Sequence, residues 1–127
     1  MRPIILIGHA EFASALSSSL KMIVGENAPL LAIDQGQNCD LDKIPKLKDF
    51  LAVHALIACD LLGGSPFLKI AEYTQGKHPM VGGINIPFAL EYLLSEKSIE
   101  ELLSQTDLQV TAFRLNTQID EDIEGGI

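Results

Sequence analysis

Four short apolar stretches punctuate this chain, and each is followed by residues with helical spacing. The first, 2–7, is a near-continuous run rich in isoleucine ("RPIILI"), which reads as a strand buried on both faces. Apolar residues then recur at Phe12, Leu16, Leu20 and Ile23, with Ser17, Ser18 and Lys21 on the other side. That spacing predicts a helix over 12–24, ended by Gly25. A second strand is expected at 30–33, a polar loop over "DQGQNCDLD", and a modest helix at 44–52 with Pro45 in its first turn. A third buried strand falls at 55–59. Ser65 is then placed to cap a helix and Pro66 to open it, with the helix running to Thr74 and Gly76 closing it. The fourth strand is 79–81, after which Pro87 opens a helix to Leu94. A short helix at 98–104 has Glu101 placed for a capping box. "LQVTAF", 108–113, alternates weakly and reads as a last strand at an edge.

Strand and helix alternate four times, and the strands are apolar runs rather than alternating ones. The fold class this implies is α/β: an open, mostly parallel sheet in the order 2-1-3-4 with helices on both faces. The last strand would lie antiparallel at its edge. Residues 1–115 form one domain in this reading, and 116–127 ("NTQIDEDIEGGI") an acidic, mobile tail.

Composition narrows the function classes. The chain has 127 residues, 47% hydrophobic and 20% charged, enough for one domain with a real core. Nine basic residues against seventeen acidic ones leave a formal charge of −8, which argues against nucleic acid or an anionic membrane surface as a partner. No apolar run approaches the roughly 18 residues a membrane helix needs, and "MRPIILIGHA" is too short for a signal peptide, so a cytoplasmic protein is expected. Of the two cysteines, Cys59 lies in an apolar run and reads as core, and Cys39 sits in a polar stretch. Neither has metal-ligand spacing, and no metal or other cofactor is called for.

Topology then selects the candidate chemistry. In an open α/β sheet, ligands bind outside the carboxyl ends of the strands where the strand order reverses. In the order 2-1-3-4 that crevice lies between strands one and three. Strand one leads to His9, which stands just past the apolar run, with Gly8 letting the chain leave the strand. Strand three ends at Asp60. A carboxylate bonded to one ring nitrogen fixes the tautomer and frees the other nitrogen as a nucleophile. Singly, either residue reads as a cap or a loop contact; at the same crevice, the pair reads as catalytic. Gly63, Gly64 and Ser65 follow, where a tight turn leads into a helix whose free N–H groups suit a phosphoryl group. A simple capped loop explains them equally well. The loop Gly82–Pro87 reads as a turn and helix start, Phe12 as core rather than a lid, and His54 and His78 as structural residues at the opposite sheet edge. There is no GxGxxG and no Walker lysine, so a nucleotide site is not supported.

"LIGHAEFA", "ACDLLGGSPF" and "GGINIPFALE" together resemble the mannose-family IIA component of the bacterial sugar phosphotransferase system, over nearly the whole chain to about residue 115. The resemblance implies a phosphohistidine carrier. His9 would accept a phosphoryl group from the phosphocarrier protein HPr, and Asp60 would support it. Gly63, Gly64 and Ser65 would surround the group. A IIB subunit would receive it, with sugar phosphorylated during uptake through IIC and IID membrane subunits. It also implies a homodimer, in which 108–113 pairs with the partner's sheet. Three positions depart from the family pattern: Gly8 where Thr or Ser often precedes the histidine, Ala10 in place of a common glycine, and Leu62 where some members carry Trp. Two other readings stand beside it, the first using the same loops. A flavodoxin-like flavin- or anion-binding module would not need His9 and would want more aromatics than the 6% here. The phosphotransfer subunit of a dihydroxyacetone kinase is a related alternative, less favoured by the full GGSP sequence.

Overall fold

A computed structural model describes residues 1–35, 40–113 and 115. Four strands form one sheet: β1 (Ile4–His9), β2 (Leu30–Gln35), β3 (Leu56–Cys59) and β4 (Met80–Val81). All pairings are parallel and the order is β2-β1-β3-β4, as the sequence pattern predicts. Five α-helices are described: α1 (Phe12–Val24), α2 (Leu47–Ala52), α3 (Ser65–Thr74), α4 (Ile86–Leu94) and α5 (Ile99–Ser104). Side-chain parity sorts the core into two halves. Ile4, Leu6, Leu56 and Ala58 face α1, α4 and α5, where Leu20, Ala89 and Leu102 are buried. Ile5, Ile7, Ile57 and Cys59 face Leu47 of α2 and Ile70 of α3. Cys59 is a buried core thiol; Cys39 and the tail 116–127 lie outside the described residues.

Several boundaries move, each for a local reason. β1 continues through Gly8 and His9, which pair with Asp34 and Gln35 of β2, so His9 is the last residue of the strand. The second helix starts at Leu47 rather than 44. Ile44 precedes Pro45 and is extended (φ −81°, ψ 116°), as proline's ring requires of the residue before it. On α1 the buried stripe is Ala13, Leu16, Ser17 and Leu20, and Ile23 is exposed. The capping box on α5 forms as expected: Glu101 N–H donates to Ser98 Oγ, and Ser98 N–H donates to Glu101 Oε1.

The last strand does not form. Thr106–Leu108 is a 3₁₀ turn, and 109–113 has no regular structure. Leu108 is buried, but Val110 is 96% exposed and Phe113 is 72% exposed. With only two residues, β4 offers little ladder for another strand to join within one chain. Instead Asn85 ties the segment down. Its Oδ1 accepts from Phe88 N–H (2.8 Å), capping α4, while its Nδ2 donates to the Leu108 carbonyl (2.8 Å). Asn85→Ala loses both bonds, so it should lower stability by about 1–2 kcal/mol in urea unfolding. An unchanged midpoint would show that the tether carries no energy.

Candidate functional site

The register of the sheet builds the site. Ile7 of β1 lies opposite Cys59 of β3, and β3 ends there. The next residues on the two strands are Gly8–His9 and Asp60. The Asp60 carboxylate turns toward β1, and its Oδ2 accepts two hydrogen bonds, from His9 backbone N–H (2.9 Å) and from His9 Nδ1 (2.8 Å). A carboxylate can only accept, so Nδ1 carries the proton, and in the neutral ring Nε2 keeps a free lone pair. The His9 side chain is 51% exposed and that of Asp60 16%. Burial pushes the Asp60 carboxyl up, but the bonds from the His9 backbone and ring outweigh it and hold the group below its ordinary value near 3.8. Its other oxygen, Oδ1, is buried with no hydrogen-bond partner among the described residues.

Beneath the ring lies the loop after β3. Gly63 has a left-handed backbone (φ 83°), and Gly64 N–H closes a turn on the Leu61 carbonyl (3.2 Å). Gly64, not Ser65, is the N-cap of α3; it is extended (φ −74°, ψ 172°), and Ser65 and Pro66 are the first two helical residues. The first helical bond runs from Leu68 N–H to the Gly64 carbonyl (2.9 Å), so the Ser65 and Phe67 amides have no acceptor within the helix. A Cβ on Gly64 would stand 3.0 Å from His9 Cε1 and 3.5 Å from Nε2. The nucleophilic edge of the ring therefore lies over the start of α3, where the helix dipole and free amides favour an anion. Ser65 is exposed there.

The structure thus brings together His9, Asp60 and Gly64, with Gly63 and Ser65 on the same loop. Other residues whose role no local pattern signals also shape the site. Asp34, at the end of β2, accepts from Ser14 N–H through Oδ1 (2.9 Å). It caps α1, whose own N-cap Glu11 makes no side-chain bond. One carboxylate thereby occupies the positive end of α1, leaving α3 as the helix end beside the ring. The carboxyl-edge rule that selects Asp60 after strand three also selects Asp34 after strand two. Gly82 allows the β4 loop to press on the β3 loop, since a Cβ there would meet Leu62 backbone N at 2.9 Å. His54 and His78, with ring centroids 6.2 Å apart, sit at the opposite edge as expected. A groove of about 240 Å³ lined by Gly82, Ile84, Leu102, Leu108 and Val110 does not include His9. A small anion depends on aimed donors, and that apolar groove offers few. No group of three or more potential metal ligands occurs among the described residues.

The departure from the strand is made by Ala10, not Gly8. Ala10 has φ 49°, in the left-handed region, directly after His9. This conformation costs a non-glycine residue about 1–2 kcal/mol, and strain of this kind collects beside reactive groups. Ala10→Gly relieves the strain but frees the unfolded chain, so a net gain of up to about 1 kcal/mol is expected in denaturant unfolding. A loss of that size would mean that Ala10 is unstrained. A second expectation concerns acid. Because the folded Asp60 titrates below its ordinary value, its stabilising contribution is complete above about 3.8 and is lost as pH falls through the folded value. The stability gap between the native chain and Asp60→Asn should therefore close on acidification. Urea titrations at a series of pH values measure it, and a constant gap would contradict the pairing.

With this geometry in hand, comparison places the chain among known proteins. Residues 3–107 match the family described as EIIA-man, PTS system fructose IIA component. The chain is 31% identical over 116 residues to the PTS system fructose-specific EIIA component of Bacillus subtilis (strain 168), covering 85% of this chain and 77% of that protein. It is 32% identical over 110 residues to the PTS system sorbose-specific EIIA component of Lacticaseibacillus casei, covering 80% of each. Among solved structures, the mannose/sorbose specific IIA subunit of the phosphotransferase system from Enterococcus faecalis superposes with a TM-score of 0.68 at 27% identity, over 91% of this chain and 98% of that one.

Proposed function

The chain belongs to the EIIA-man family of PTS IIA components and is a phosphotransfer component of a sugar phosphotransferase system, and we propose that His9 is its phosphoryl carrier, loaded from phospho-HPr and unloaded onto a IIB subunit. The observation that carries this reading is the 2.8 Å contact between His9 Nδ1 and Asp60 Oδ2, which leaves Nε2 free above the start of α3.

The step follows from that geometry. The Nε2 lone pair forms a bond to phosphorus as the bond from phosphorus to the donor breaks, and the donor keeps that electron pair. The ring retains its Nδ1 proton and becomes positively charged. Asp60, fixed before the reaction begins, counters the charge as it develops. The transferred oxygens meet the free amides of Ser65 and Phe67, with the Ser65 hydroxyl as a further donor and Gly63 and Gly64 admitting the group to the backbone. Transfer to IIB is the reverse attack by the partner's nucleophile. A neutral imidazole carries on its unprotonated nitrogen the lone pair that a nucleophile needs.

Related expectations belong to the same reading. The protein works in the cytoplasm, and no helix among the described residues is long and apolar enough to cross a membrane. Sugar uptake then runs through separate IIC and IID membrane subunits. The chain acts as a homodimer, in which a second copy covers the exposed Val110 and Phe113.

Incubation with phosphoenolpyruvate, enzyme I and HPr should add one phosphoryl group to the native chain and none to His9→Ala, read by intact mass. Asp60→Ala should fold and be labelled more slowly, by roughly a hundredfold. A His9→Ala chain that still takes the label would sink the assignment.

A further inference from the structure

The unpartnered Asp60 Oδ1 is a feature the mechanism above does not use. A buried carboxylate oxygen without a donor is unfavourable, and native structures keep few of them. The neighbouring strand crowds this carboxyl at Gly8. Gly8 faces the α1 side of the sheet, by the same alternation that points Ile4 and Leu6 there. A Cβ on Gly8 would stand 2.7 Å from Phe12 Cδ2, 3.1 Å from Phe12 Cβ and 3.1 Å from Asp60 Cγ. The space that a side chain at residue 8 would fill is therefore taken by the Phe12 ring, which crowds the same point as the Asp60 carboxyl. Phe12 is only partly buried and packs on the edge of the α1-side core. It sits in the first turn of α1, which Ala10 and the Asp34 cap hold in place.

We propose that Phe12 is a positioning residue for the His9–Asp60 pair: lodged over Gly8, its ring keeps water from Asp60 Oδ1 and so commits the carboxylate to His9. With Oδ1 excluded from water, the carboxylate makes its bonds through Oδ2 alone, and both go to His9. A charge-assisted bond is stronger where the local dielectric is low. The effect is to hold the ring in the Nδ1–H tautomer and to keep Nε2 as the free nitrogen. Gly8 and Phe12 are one device, because the ring lies where a side chain at residue 8 would begin.

The inference rests on the reading of His9 as phosphoryl carrier only for its effect on rate; its effect on the tautomer is independent of that reading. Nitrogen-15 spectra of histidine-labelled full-length chain at neutral pH report the tautomer of His9, and intact mass over time reports phosphorylation. Phe12→Ala should move His9 toward the Nε2–H tautomer and slow phosphorylation by roughly tenfold. Phe12→Leu, which keeps an apolar cover, should restore both. Phe12→Val should fold with partial cover and give a smaller shift in the same direction, should Phe12→Ala prove too unstable to measure. A folded Phe12→Ala or Phe12→Val chain with the native tautomer and the native rate would overturn the proposal, whatever its melting temperature. A tautomer shift in a chain that HPr does not phosphorylate would support the role of Phe12 while refuting the carrier function.

Discussion

The site depends on one acceptor atom. β3 stops at Cys59 while β1 runs on to His9, so the sheet leaves the His9 backbone N–H without a strand carbonyl to meet it. Asp60 Oδ2 takes that place and, from the same position, also holds the His9 ring. The backbone bond fixes the carboxylate against the sheet, and the ring bond fixes the imidazole against the carboxylate. A side chain that is half exposed is thus held as firmly as an element of the sheet.

Around this atom, three helix starts have been given different tasks. The N-terminus of α1 is filled by Asp34, and that of α4 is capped by its own Asn85. The N-terminus of α3 has a glycine cap with no side-chain bond, beside the free nitrogen of His9. The macrodipole favours an anion at each of the three, and the capping pattern leaves α3 open to an external one. On the proposed reading, that open helix start is where the phosphoryl group would sit.

Much of the fold was legible in the chain. Four buried strands separated by helices follow from apolar run lengths, and glycine and proline mark the helix ends through backbone restriction. His9 and Asp60 were picked by the carboxyl-edge rule because parallel strands must end at one side of the sheet. The remaining features depend on contacts that no local pattern encodes. Ser65 yielded the capping position to Gly64 because the turn from Asp60 places the extended residue one position earlier. The strand expected at 108–113 failed because a two-residue β4 gives it almost no ladder within one chain. The chain leaves the strand at Ala10 rather than at Gly8, since the length of β1 is set by pairing with β2.

By itself the sequence determined the alternation of strands and helices, the parallel order and the edge at which His9 and Asp60 lie, because periodicity and chain connectivity restrict those choices. Only the tertiary structure decided which Asp60 oxygen serves His9, that the other is left without a partner, that Phe12 takes the space over Gly8 and that Asp34 caps α1. Each of the last three is a meeting of side chains set by packing, and packing distance is not written in the spacing of residues along the chain.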